Sequence, residues 1–124
     1  MKTDLFVELH VPEFSTARKF YGNLGFRVKW ERDGYLVMQR GASVLNFYLG
    51  QNEYFQSKKS DRGHAVEIIL LVDGVEAFYE QVKDTVKVVS PLQERKWGVK
   101  DFRIVDPFGF YIRISERYEW LESA

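Results

Sequence analysis

The run Lys96–Glu116, KWGVKDFRIVDPFGFYIRISE, decides the fold. It reads as strand, turn, strand. Trp97-Gly98 opens it, and Asp106-Pro107-Phe108-Gly109 reverses it. Pro sets φ in the turn and Gly supplies the position with φ > 0. Past the turn, Phe110, Ile112 and Ile114 share one face, while Tyr111, Arg113 and Ser115 share the other. If the first face is packed, the second must house an arginine.

Outward from this hairpin, two rounds of the same pattern emerge. Leu5 to Val11 alternates as a strand, with Leu5, Val7, Leu9 and Val11 opposite Phe6, Glu8 and His10. Pro12 ends it. Ser15 is the expected N-cap of a helix in which Phe14, Ala17, Phe20, Tyr21 and Leu24 recur at helical spacing, and Gly25 stops it. Phe26, Val28 and Trp30 alternate along a second strand, and Asp33-Gly34 signals a tight hairpin. Tyr35–Arg40 and Val44–Leu49 follow as strands. Residues 50–63, GQNEYFQSKKSDRG, are polar and read as a linker whose lysines form a solvated face.

The pattern then restarts. His64–Val72 is a strand. Asp73 with Glu76 reads as an N-cap and its partner for a helix striped by Val75, Phe78, Tyr79 and Val82. Val86–Val89 is a short strand ended by Ser90-Pro91, and the opening hairpin completes the round. Residues 118–124 form a tail. The order β-α-β-β-β occurs twice, with Phe20-Tyr21 echoed by Phe78-Tyr79. The expectation is an α+β fold: two tandem βαβββ modules forming a curved mixed sheet around a cleft, with helices outside. Residues 1–124 would be a single domain, with module 1 at about 1–50, a linker at about 51–63 and module 2 at about 64–118.

The first and last strands of each module have unlike faces. The outward positions are all apolar, as packing on helices requires. The inward set is mixed: Phe6, Glu8, His10; Val44, Asn46, Tyr48; Glu67, Ile69, Leu71; Tyr111, Arg113, Ser115. An unpaired buried charge is costly. The mixed face therefore meets water, pairs its charges or holds a ligand.

Composition narrows the classes. The 124 residues are 45% hydrophobic and 29% charged, ordinary for a globular chain. Eighteen basic and eighteen acidic residues cancel, which removes the global signature of a nucleic-acid binder. No cysteine is present, so disulfides, thiolate metal sites and cysteine nucleophiles are excluded. No long apolar run predicts a membrane span, and MKTDLF does not read as a signal peptide, so a cytoplasmic location is expected. Aromatic content is high, at 16%.

The layout resembles the vicinal-oxygen-chelate superfamily of glyoxalases, extradiol dioxygenases, fosfomycin-inactivating enzymes and bleomycin-resistance proteins. Three stretches carry the resemblance: Ala17–Phe26 (ARKFYGNLGF), Ser43–Leu49 (SVLNFYL) and Trp97–Ser115 with its Asp106-Pro107-x-Gly109 turn. The placement of Trp97-Gly98 looks most like the bleomycin-resistance branch. In metal-dependent members, ligands come from one inward position on the first and last strands of each module. Those positions here correspond to Phe6, Asn46, Glu67 and Arg113. Phenylalanine cannot ligate and arginine only donates, so a metal cofactor is not expected. A grouping of Glu8, His10, His64 and Glu67 is no better, because His64 falls on the opposite face from Glu67.

Without a metal, Glu67 and Arg113 are expected to correspond in the two modules and to pair across the cleft. The resemblance also places Trp30, Tyr35 and Trp97 where a ligand is stacked, and rings hold flat or cationic groups. The expected ligand-binding set is thus Trp30, Tyr35, Asn46, Tyr48, Glu67, Trp97, Tyr111 and Arg113, with no catalytic residue. The implied function is a metal-free homodimer that sequesters a small aromatic or antibiotic-like molecule. Resistance proteins for cationic glycopeptides are acidic and this chain is neutral, which points away from bleomycin itself. The alternatives are a glyoxalase, lyase or dioxygenase with an atypical metal site, and a protein–protein module with a vestigial cleft.

Overall fold

The computed structural model describes residues 5–50 and 66–117. The chain divides into two compact units, Met1–Lys58 and Lys59–Ala124. Each is a four-stranded mixed sheet with one helix on one face, so the fold is α+β and the two βαβββ modules are present. His64 and the tail from Tyr118 lie outside the described residues.

In the first unit the elements are β1 (Glu8–Val11), α1 (Phe14–Asn23), β2 (Arg27–Arg32), β3 (Tyr35–Arg40) and β4 (Ser43–Leu49), with strand order β1-β4-β3-β2. β1 runs parallel to β4, and β3 is antiparallel to both β4 and β2. β1 is shorter than its alternation suggests. Leu5, Phe6 and Val7 precede it and are exposed.

Helix α1 buries Phe14, Ala17 and Tyr21, the stripe expected of an amphipathic helix. Tyr21 sits against Phe47 of β4, with ring centroids 5.1 Å apart, and edge-on to Phe26 at 6.2 Å. Phe47, Leu36 and Met38 supply the sheet's side of this core. The N-cap differs from expectation. Glu13, not Ser15, caps α1, its carboxylate accepting from the Thr16 N–H at 3.0 Å. Ser15 donates its hydroxyl to the same carboxylate. These bonds favour the ionised form and hold the Glu13 carboxyl at about 2.

The β2–β3 hairpin turns through Asp33 and Gly34, both with positive φ (51° and 81°), as an Asp-Gly pair permits. β2 itself breaks the simple alternation. Its register shifts between Val28 and Trp30, so Val28 lies opposite Met38 while Trp30 lies opposite Val37. Val28 therefore shares the helix-facing side, and Trp30 is turned to the other. Glu31, next along, returns to the helix side and pairs with Arg18 of α1.

The second unit comprises β5 (Glu67–Leu71), α2 (Val75–Val82), β6 (Lys87–Glu94), β7 (Lys100–Val105) and β8 (Tyr111–Ser115), in the order β5-β8-β7-β6. Helix α2 buries Val75, Phe78 and Val82 over Phe102, Ile104, Ile112 and Ile114. In the echoed dipeptides, Tyr21 is the more buried member in α1 but Phe78 is in α2. Gly74 takes the N-cap position in a left-handed conformation with no side-chain cap bond. Asp73, expected there, instead accepts from Arg117 at 3.1 Å.

β6 runs on through Ser90-Pro91, where the sequence suggested an end. Proline is tolerated because β6 is the sheet's outer strand, and the register shifts on both sides of Ser90. The β7–β8 turn closes through Asp106. Its Oδ1 accepts from the N–H groups of Phe108 (2.9 Å) and Phe110 (2.8 Å), while Gly109 has φ 92°. Asp106 is thus as necessary to the reversal as the Pro and Gly beside it.

Candidate functional site

Both sheets present a face away from their helix, and the residues expected to bind a ligand lie on those two faces. In the first unit, Glu8 pairs with Asn46 and His10 with Tyr48 along β1–β4, and Val37 and Tyr35 continue the same side on β3. The bulge brings Trp30 to this side. Three rings adjoin there: Tyr48 lies 4.9 Å from Tyr35 and 5.4 Å from His10. Arg32 sits over the Trp30 ring at 5.2 Å. The Asn46 amide donates to the Val7 carbonyl at 3.4 Å. Trp30, Tyr35, Asn46 and Tyr48 are therefore brought onto one face.

The second unit gathers Glu67, Tyr111 and Arg113 in the same way, but Glu67 and Arg113 do not belong to different modules. They stand on the neighbouring strands β5 and β8 of one sheet, where Glu67 faces Tyr111 and Ile69 faces Arg113. Glu67 accepts from Arg103 Nε at 3.1 Å, and Arg113 Nε lies 3.2 Å from Asp101 Oδ2. The expected pairing across modules is replaced by a network within one sheet.

Asp101 is the centre of that network. It is fully buried, with a relative exposure of 0%, and three guanidinium groups converge on it. Arg95 Nε donates to Oδ1 at 2.6 Å, Arg103 Nη1 stands 3.6 Å from the same oxygen, and Arg113 approaches Oδ2. Arg95 also donates to the Ser90 hydroxyl at 2.9 Å. Arg103 and Arg113 are direct cross-strand partners on β7 and β8. Like charges directly opposite one another destabilise a sheet unless something offsets them, and a buried carboxylate beside both does so.

Trp97 closes the edge of this cluster. It lies in the turn made when the Gly98 N–H bonds to the Arg95 carbonyl at 2.9 Å, and Gly98 takes φ 87° there. Its ring is half exposed, with Arg113 5.8 Å from the centroid. Arg95, Asp101 and Arg103 were missed because only first and last strands were read for inward residues. The signal was present: Asp101 and Arg103 alternate with Phe102 and Ile104 in β7, and so share a face.

The four positions that the resemblance assigns to a metal do not offer a donor set for one. Phe6 offers no donor and Arg113 is a cation engaged with Asp101. Asn46 and Glu67 leave too few oxygen donors, and Glu67 is already held by Arg103. Among the described residues, no three His, Asp or Glu side chains gather as a metal-binding group.

A sheet of this topology, repeated with one helix per copy and carrying its polar residues on the helix-free face, defines the class of protein. Residues 5–114 match the Glyoxalase/Bleomycin resistance protein/Dioxygenase superfamily, and the chain belongs to that superfamily. Solved structures agree on the fold. A bleomycin-binding protein complexed with bleomycin is 21% identical, with a TM-score of 0.67 over 94% of this chain and 100% of that one. A bleomycin resistance determinant encoded on transposon Tn5 is 22% identical, with a TM-score of 0.71 over 95% and 100%. TioX from Micromonospora sp. ML1 is 17% identical, with a TM-score of 0.73 over 94% and 100%. No curated protein matches the sequence. No helix among the described residues is long and apolar enough to cross a membrane.

Proposed function

We propose that this chain is a binding protein that sequesters a small aromatic, antibiotic-like molecule on its helix-free sheet faces, without a metal and without catalysis. The observation that carries the reading is Arg113. By the resemblance it stands where the superfamily's enzymes place a metal ligand, yet it is a cation set beside a buried carboxylate. Beside it Trp97 is half exposed, and a large indole left in water at a polar cluster is suited to stacking a flat ligand. The bleomycin complex formed by one structural neighbour supports a small-molecule role. The zero net charge of this chain argues for a ligand other than a polycation.

Tryptophan fluorescence tests the reading. Titration with a panel of flat aromatic compounds and glycopeptides should quench emission saturably, and Trp97→Ala should abolish the response. Stoichiometric zinc, nickel, manganese or iron in the purified protein would overturn it in favour of an enzyme.

The binding form on this reading is a homodimer. Leu5, Phe6 and Val7 are 88%, 77% and 60% exposed where they lead into the outer strand β1. Val66, 63% exposed, does the same for outer strand β5. Apolar sheet edges of this kind invite pairing with another chain. Sedimentation at micromolar concentration should give twice the chain mass, and a monomer would count against the dimer.

A further inference from the structure

We infer that the helix-free face of the first unit binds an alkylated ammonium group, lined by the rings of His10, Tyr48 and Tyr35 and neutralised by the Glu8 carboxylate. The inference rests on the binding reading above and names the group that the small aromatic ligand presents to this unit.

The sheet register supplies the placement. Tyr48 is the cross-strand partner of His10 on one side and of Tyr35 on the other, and Tyr35 is the partner of Arg32. These four side chains form one row across all four strands. The row beside it is Glu8, Asn46, Val37 and Trp30. Along the first row the ring centroids step 5.4 Å from His10 to Tyr48 and 4.9 Å from Tyr48 to Tyr35, with tilts of 53° and 51°. Rings tilted in this way are not stacked flat on one another. They leave π faces, the negative side of each ring, for another partner. Clusters of such faces are what hold quaternary and methylated ammonium groups.

Charge decides what the rings are suited to. Glu8 lies on the same strand and face as His10, diagonal to Tyr48. Its carboxylate stands 3.5 Å from His10 Nε2 and is 42% exposed, and a carboxylate can accept from several donors at once. The guanidinium of the row sits at the opposite margin. Arg32 lies over Trp30 at 5.2 Å, on a strand two spacings, or about 10 Å, from that of Tyr48. The face thus runs from negative at β1 to positive at β2 with rings between, which draws a cationic nitrogen to the β1 side. Tyr35 and His10 are exposed, so the row is open to a small molecule. An alkylated nitrogen fits better than a bare ammonium, because it is less strongly hydrated and meets the rings through its methyl groups. A ligand with one such nitrogen is not a polycation and is consistent with a chain of zero net charge.

Calorimetric titration tests the inference with three probes: cationic naphthylmethyl-trimethylammonium, neutral naphthylmethanol and anionic naphthoate. The ammonium should bind about tenfold more tightly than the alcohol, and naphthoate no better than the alcohol. Glu8→Gln keeps the shape of an exposed side chain and should remove most of the preference for the cation. Tyr35→Leu removes an exposed ring and should reduce that preference, whereas Tyr35→Phe keeps the ring and should keep it. Equal binding of ammonium and alcohol, a preference for naphthoate, a preference that survives Glu8→Gln or Tyr35→Leu, or one lost in Tyr35→Phe overturns the inference while the binding reading stands. Failure of all three probes at millimolar concentration overturns both.

Discussion

Asp101→Asn is the perturbation that interrogates the arginine cluster most directly. The substitution keeps the shape of the side chain and removes its charge from between Arg95, Arg103 and Arg113, at 2.6, 3.6 and 3.2 Å. Removing one partner of a buried ion pair costs about 3–5 kcal/mol, because the remaining charge is left partly desolvated. The amide returns one hydrogen bond, worth about 1 kcal/mol. The expected loss is then about 2–4 kcal/mol, a large share of the roughly 5–15 kcal/mol that holds a domain together. With a urea slope of about 1.5 kcal/mol per molar, the midpoint should fall by about 1.3–2.7 M. Arg113→Met is the matched comparison. It keeps the apolar stem and leaves Asp101 with Arg95 and Arg103, so it should cost under about 1.5 kcal/mol. Added salt should recover part of the stability of Asp101→Asn, by screening the three cations from one another, and should do little for the wild type. Both variants are read by urea unfolding followed by circular dichroism. A midpoint shift for Asp101→Asn no larger than that for Arg113→Met would refute the central role given to the carboxylate.

Two further predictions concern local structure. Glu13→Ala should cost about 1 kcal/mol at neutral pH as a lost helix cap. Because the folded carboxyl sits at about 2, below its ordinary 4.5, that contribution is complete above 4.5 and disappears as pH falls through about 2. The stability gap between variant and wild type should therefore narrow in acid, and a gap constant with pH would count against the cap. Gly25→Ala forces φ 96° on an L-residue and places a Cβ 2.8 Å from Arg40 Nε, a side-chain atom able to move. The backbone supplies most of a cost of about 1–2 kcal/mol. Gly22→Ala, in α1 with nothing within 4 Å of its Cβ, should stabilise instead by about 0.5–1 kcal/mol. Thermal melts of the pair check the difference in sign.

What the sequence made legible follows the strength of each physical constraint. Helix-facing positions must be apolar whatever the fold does, so the stripe of α1 and the alternation of β4 and β8 could be read directly. Turns that demand a positive φ, Asp33-Gly34 and the Gly109 reversal, were legible for the same reason. The misses fall where the constraint is weak. A glutamate can cap a helix as well as the serine beside it, and only geometry tells that Glu13 accepts while Ser15 donates. Pro91 marks a strand end in a central strand but not in an outer one, and strand order is not written locally. The bulge that turns Trp30 over leaves no mark between Arg27 and Glu31, where charged and apolar residues alternate straight through it. Reading the inward face of only two strands per module hid Asp101 and Arg103, and with them the true partners of Glu67 and Arg113.

The two helix-free faces show why a duplicated fold can diverge in chemistry without changing shape. Packing on α1 and α2 requires Phe47, Phe102 and their neighbours to be apolar, while the opposite sides mix polar, charged and aromatic residues. The first module has filled its free face with rings around Tyr48, the second with guanidinium groups around Asp101. On the proposed reading, Arg113 puts a cation held beside Asp101 where an enzyme of this superfamily would have a metal ligand. It presents fixed positive charge at that position. A guanidinium attracts and orients an oxyanion through hydrogen bonds, but it opens no coordination site and activates no bound water. On the same reading, arginine in place of a ligand keeps a fixed positive charge at this position and gives up the reactivity a metal would bring.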